Sequence, residues 1–157
     1  MAHWEPTSEG LRIYTKVGGF GGSSTRTELA AGILALSAYG GVHIGSDSRA
    51  FVDKANQYIE LIRDGKKPNK QWKLVSDGDL WQHFFEAVET KGAQAVKITW
   101  VKGHANQQQI DKGITSQCNK EGNDEADHVA DIGTELHGKE LIRIAGKMQW
   151  RIKPTRN

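Results

Sequence analysis

Three acidic residues stand where a divalent cation could be held. Glu28 falls in the first turn of a predicted helix, Asp47 follows the short apolar run from Val42 to Ser46, and Asp127 lies one turn into an acidic helical segment. Hard cations take oxygen ligands, and Mg²⁺ is commonly held by one or two carboxylates together with substrate phosphates. Acids at strand ends and helix starts suit that task. Each also has a plainer account: Glu28 closes a capping box with Thr25, Asp47 only begins a helix, and Asp127 is one of several solvated acids beside Asp124, Glu125 and Asp131. Taken singly, the residues leave both accounts open.

The positive charge that would meet a phosphate substrate is local. Lys and Arg number 21 against 19 Asp and Glu, a net charge of +2, yet the segment RDGKKPNKQWK at 63–73 holds five basic residues against Asp64 alone. The tail from Lys139 to Asn157 holds six against Glu140 alone, and the rest of the chain has ten basic residues against seventeen acidic. A polyanion is then drawn to particular surfaces and not to the whole molecule.

The elements that must position these groups follow from periodicity. Leu11 to Val17 alternates apolar and polar residues as a strand with one wet face does, and Gly18-Gly19 ends it. Behind Thr25, a run with Leu29, Ile33 and Leu36 on one face predicts a buried helix that stops at Gly40-Gly41. Val42 to Ser46 reads as a strand delivering Asp47 and Ser48 to a second helix, which carries Phe51, Val52, Ala55, Ile59 and Ile62. Asp77 to Thr90 repeats the helical period with Leu80, Phe84 and Val88 beside Trp81 and Phe85, and Ala95 to Val101 alternates as a strand. Gly103 to Gly122 reads as a polar loop, Asn123 to Leu136 as an acidic helix, and LIRIAGKMQWRI as one or two short strands. Strand, turn and helix in alternation indicate an α/β domain.

Length and composition bound the rest. A chain of 157 residues with 37% hydrophobic and 25% charged residues suits one globular domain and excludes disorder throughout. The stretch from Leu29 to Val42 is too short and too interrupted for a membrane span, and MAHWEPTSEG has neither a basic leader nor an apolar run. With Cys118 alone and no internal disulfide, the expectation is an intracellular protein, cytoplasmic or nuclear, with no membrane partner.

Five segments in order carry more specific information: STRTELAAGILAL, VHIGSDSRAFV, DLWQHFFEAV, ITWVKGHA and GNDEADHVAD. Together they resemble the type 1 ribonuclease H family, whose pattern runs R-x-E-L on a helix, T/S-D-S after a strand, D-L-W on a helix, W-V-K-G-H-A at a strand end and N-x-x-x-D-x-x-A on the last helix. The likeness covers about Ser23 to Asp131, roughly seventy per cent of the chain. It implies an α/β fold with a mixed sheet flanked by helices in a domain over 1–138, leaving 139–157 as a basic, strand-forming tail.

The resemblance also implies roles. Glu28, Asp47 and Asp127 fall on the family's metal-binding carboxylates and His104 on its loop histidine, which shuttles a proton or assists product release. The cofactor implied is Mg²⁺, with Mn²⁺ as the substitute, and the reaction is hydrolysis of the RNA strand of an RNA/DNA hybrid. Lys66, Lys67, Lys70, Trp72 and Lys73 occupy the place of a Lys-rich protrusion that grips the DNA strand, and Ser24, Thr25 and Arg49 stand where the family touches RNA. Ser24-Thr25 replaces the paired asparagines of some members.

One departure matters. The family begins with a strand ending in a T-D-G-type motif whose Asp bridges both metals, and no aspartate precedes Asp47 here. Either IYTKVGG is that strand with Lys16 in place of the Asp, or Leu11 to Val17 is the third strand, Ala2 to Trp4 the remnant of the second, and the first is absent. The hairpin-like TSEG favours the second. A central strand lost from such a sheet would leave backbone groups unpaired, so the gap is expected to be filled by the tail strand Leu141 to Ile152 or by strand exchange in a homodimer. Two readings follow: a metal-dependent endonuclease of weak activity, and a non-catalytic module that binds hybrid or other nucleic acid.

Overall fold

In a computed structural model of the chain, the backbone is described for residues 3–7, 10–14 and 24–151 and the side chains for residues 24–135. Contacts group the chain into two units, one of residues 17–125 and one of residues 1–16 with 126–157. In the second unit, β1 (His3–Thr7) and β2 (Gly10–Tyr14) pair antiparallel, His3 opposite Tyr14 and Thr7 opposite Gly10. This is the hairpin that the TSEG segment predicts.

The larger unit follows the apolar stripes. Helix α1 (Ser24–Leu36) buries Arg26, Leu29, Gly32 and Leu36; β3 (Val42–Ser46) leads through Asp47 to α2 (Arg49–Arg63), which buries Phe51, Val52, Ala55, Tyr58 and Ile59. Ser48 caps α2 by accepting from the Phe51 N–H at 3.3 Å. Helix α3 (Gly78–Lys91) and strand β4 (Val96–Trp100) follow, and β4 pairs parallel with β3, Val42 opposite Val96 and Ser46 opposite Trp100. The result is a mixed α/β arrangement whose parallel sheet has two strands among the described residues and is flanked by helices. The sheet is thus reduced, as expected from the absent first-strand motif.

Trp81 is the centre of the core. It is 1% exposed, with ring centroids 5.3 Å from Tyr58, 5.4 Å from Phe84 and 6.1 Å from Phe51. Phe51 in turn lies so close to Gly32 that a Cβ there would sit 2.6 Å from Cζ of the ring, so α1 and α2 meet only because that position has no side chain. The start of α1 is clamped to the start of α3: the buried Arg26 reaches Asp79 through two bonds of 2.9 and 2.7 Å and Asp77 through one of 3.1 Å. Those hydrogen bonds hold the Asp79 carboxyl at about 2, below its ordinary value.

Three expectations are corrected. The segment after Gly103 is not all loop: Asn106 and Gln109 form a capping box that starts α4 (Gln107–Asp111). The acidic helix begins earlier, at Gln117, where the Ser116 hydroxyl accepts from the Asn119 N–H at 3.1 Å. It also runs on as α5 (Gln117–Arg151), so the expected tail strand from Leu141 is helical as far as Arg151, with Ile152 and the residues after it outside the described residues. No proline occurs between Gln117 and Arg151, so no residue of the run lacks the backbone N–H that a continuous helix needs.

Candidate active site

The Ser46 hydroxyl ties Glu28 to the strand end that precedes Asp47. The strand end of β3 carries Ser46 and then Asp47, and α1 passes it so that the Ser46 hydroxyl donates to Oε2 of Glu28 at 2.7 Å. Both acids are half-buried. Thr25 lies inside α1 and the Glu28 carboxylate is turned to Ser46, so Glu28 does not act as the closing residue of a Thr25 capping box.

The third wall is the turn after β4. The Trp100 indole N–H donates to the Asp47 carbonyl at 3.0 Å, and the Val101 N–H donates to the Ser46 carbonyl at 3.0 Å. Gly103 then passes so close that a Cβ on it would stand 2.2 Å from Oδ2 of Asp47 and 3.0 Å from its Cβ. The next residue, His104, is exposed and has a φ of 48°, the left-handed region that His enters more readily than most side chains. Gly103→Ala is therefore expected to displace the Asp47 carboxylate and to lower any hydrolysis about tenfold or more, with little change in thermal midpoint. The estimate equates a displacement of the reacting geometry with at least one unit of about 1.36 kcal/mol. Full activity in that variant would place the carboxylate's work elsewhere.

Arg49, at the start of α2, holds its guanidinium 4.4 Å above the Trp100 ring. An exposed cation is thus set beside Asp47, stacked on the same indole that binds the Asp47 carbonyl. Ser24 is exposed and Thr25 half-buried at the first turn of α1. Asp127 is exposed on the part of α5 that belongs to the second unit. Among the described residues no group of three His, Cys, Asp or Glu forms a ready cage for a metal ion. Glu28 and Asp47 are carboxylate oxygen donors of the kind that hold Mg²⁺ together with substrate phosphate in sites with few protein ligands.

In the basic loop, Trp72 is half-buried, its centroid 5.5 Å from Tyr58 and 5.7 Å from Phe85, and so anchors the segment to α2 and α3. Lys66 pairs with Asp64 at 3.1 Å and Lys67 with Glu89, exposed pairs worth little each. Lys70 and Lys73 are exposed and have no ion pair among the described residues.

A family model described as RNase H matches residues 8–135. The chain belongs to the RNase H family. It is thereby placed among nucleases that act on RNA/DNA hybrids, in a family generally dependent on divalent metals. No match emerges among curated proteins or solved structures. No helix among the described residues is long and apolar enough to cross a membrane.

Ser46 touches Glu28, and Trp100 and Gly103 touch Asp47; all three stand inside the segments that carry the resemblance, as Arg26 does, but residue type alone does not show these contacts. Ser46 and Arg26 are polar side chains defined by burial, which periodicity does not show for a residue at a strand end or in a first turn. Trp100 and Gly103 stand inside the ITWVKGHA segment, whose histidine draws the eye first.

Proposed function

We propose that this RNase H domain is a divalent-metal-dependent endonuclease of the RNA strand of RNA/DNA hybrids, with low activity. The observation that carries the reading is the junction of Glu28 with the strand end bearing Asp47 through the Ser46 hydroxyl at 2.7 Å, within a chain that matches the family. Glu28 and Asp47 would hold the metal, and the family pattern alone assigns Asp127 as a third acid. Mg²⁺, or Mn²⁺ in its place, supplies a water activated at neutral pH and neutralises charge on the leaving 3′ oxygen. The protein's own part is to fix the acids, to bring His104 next to Gly103 for proton transfer, and to present the Arg49 guanidinium to a phosphate. Low activity is expected of these 157 residues by themselves, because none of them before Asp47 is an aspartate that could serve as a further metal ligand.

Affinity for the hybrid is assigned to the loop of Lys66, Lys67, Lys70, Trp72 and Lys73 on one strand and to Ser24, Thr25 and Arg49 on the other. Each phosphate neutralised contributes about 0.9 to the log-log salt slope for B-form DNA. Changing the four lysines to Ala is expected to flatten the slope by about 0.9 for every phosphate that is no longer neutralised, the larger share from Lys70 and Lys73. A slope that stays the same would mean that the loop is only solvated.

Substrate choice tests the reading. RNA paired with DNA should be cut in the RNA strand alone, and RNA/RNA and DNA/DNA duplexes left intact. Hybrid binding without any cleavage would favour the non-catalytic binding module instead. Strand exchange in a homodimer is the proposed route to a completed sheet, since β3 has one strand neighbour among the described residues and the tail is helical to Arg151. Light scattering should then give twice the mass of one chain, and a monomer would remove the strand-exchange proposal.

A further inference from the structure

We infer that Ser46 is a positioning residue for the metal: its hydroxyl sets which oxygen of Glu28 faces the cation and ties Glu28 to the strand end that leads to Asp47. The inference rests on the reading of those two acids as metal ligands. A serine hydroxyl has one proton and two lone pairs. The Ser48 N–H can only donate, and it lies 3.2 Å from Oγ of Ser46, so Oγ accepts there. Its single proton is then committed to Oε2 of Glu28 at 2.7 Å. The bond has one direction, and it uses a lone pair of Oε2 while leaving Oε1 to other partners.

The same hydroxyl joins three elements. Glu28 is on α1, Ser46 ends β3, and Ser48 caps α2 through the Phe51 N–H at 3.3 Å. Asp47 lies between the two serines and is tied by its own carbonyl to Trp100 at 3.0 Å. The Glu28 carboxylate is thus held by a neutral donor that is 7% exposed, where a lost hydrogen bond cannot be replaced freely by water. A buried serine kept only for stability would serve the fold without altering how the acids meet a cation.

The experiment compares Ser46→Thr with Ser46→Val in the full chain, two side chains of nearly equal shape that differ in the hydroxyl. Mn²⁺ affinity is read from the resonance of the free ion, with the thermal midpoint measured alongside. The valine variant is expected to bind Mn²⁺ about 10–100-fold more weakly, the usual cost of removing a group that orients a metal ligand, and the threonine variant to keep the wild-type affinity. Equal affinities for the two would overturn the inference. If the valine variant does not fold, Ser46→Ala against Ser46→Thr gives the same comparison. Asp47→Asn separates the two levels: if it abolishes Mn²⁺ binding while Ser46→Val does not weaken it, the acids stand and the positioning role falls. If the wild type binds no Mn²⁺, or Asp47→Asn binds it unchanged, the assignment of the acids fails and the inference falls with it.

Discussion

Asp47→Asn is expected to abolish metal-dependent cleavage while the chain stays folded. The side chain keeps its shape, so the close approach of Gly103 and the indole bond to the Asp47 carbonyl survive the change. What is lost is one of two carboxylates at a cation that supplies several kcal/mol of transition-state stabilisation, so the rate should fall about a thousandfold or more. Stability should hold, because the substitution keeps the side chain's volume and the contacts made by Gly103 and Trp100. Hydrolysis rates and the denaturation midpoint measured together decide the matter. Undiminished cleavage by the variant would remove Asp47 from the site.

The largest effect on stability is expected from Trp81→Ala. Its ring is buried among Phe51, Tyr58 and Phe84, and the Lys54 ammonium lies 5.0 Å from its centroid. Truncation opens a cavity at the point where α2 and α3 meet, and such changes cost about 3–5 kcal/mol. Domains are commonly stable by about 5–15 kcal/mol, so much of the margin would go. Urea denaturation reads the loss. A cost below about 1 kcal/mol would show that the aromatic cluster is not the core's centre, and Trp72, half-buried against Tyr58 and Phe85, would be the next candidate.

Much of the larger unit is legible in the sequence because its elements are one-sided. Phe51, Val52, Ala55 and Ile59 on α2, and Trp81, Phe84, Phe85 and Val88 on α3, recur at helical spacing, and those are the residues the core buries. Helix α4 escapes such reading: it has five residues and no apolar stripe, and its start is set by the reciprocal Asn106 and Gln109 bonds. The length of α5 is hidden by glycines that look like stops and by the Ile-rich segment LIRI, which has the composition of a strand. There, an unbroken run without proline outweighs the local β preference.

The site divides along the same line. Glu28, Asp47 and His104 are visible as residue types in a recognisable order, and the structure ties Glu28 to the Ser46 that precedes Asp47 and packs Gly103, the neighbour of His104, against Asp47. Ser46, Trp100 and Gly103 stand in the same segments, but their part in the site is visible only through what they touch. A hydroxyl that donates to one acid, an indole that holds the backbone of another and a missing Cβ are relations between distant positions, and residue type does not encode them.

The central claim is that the acids beside Ser46 form a metal-dependent hydrolytic site, and metal-switched cleavage of a hybrid labelled in its RNA strand tests it most directly. The isolated chain should leave the RNA intact in chelator, cut it slowly when Mg²⁺ or Mn²⁺ is restored, and release fragments ending in a 3′ hydroxyl. Cleavage that persists in chelator, or none at any concentration of either ion while the hybrid stays bound, would contradict it.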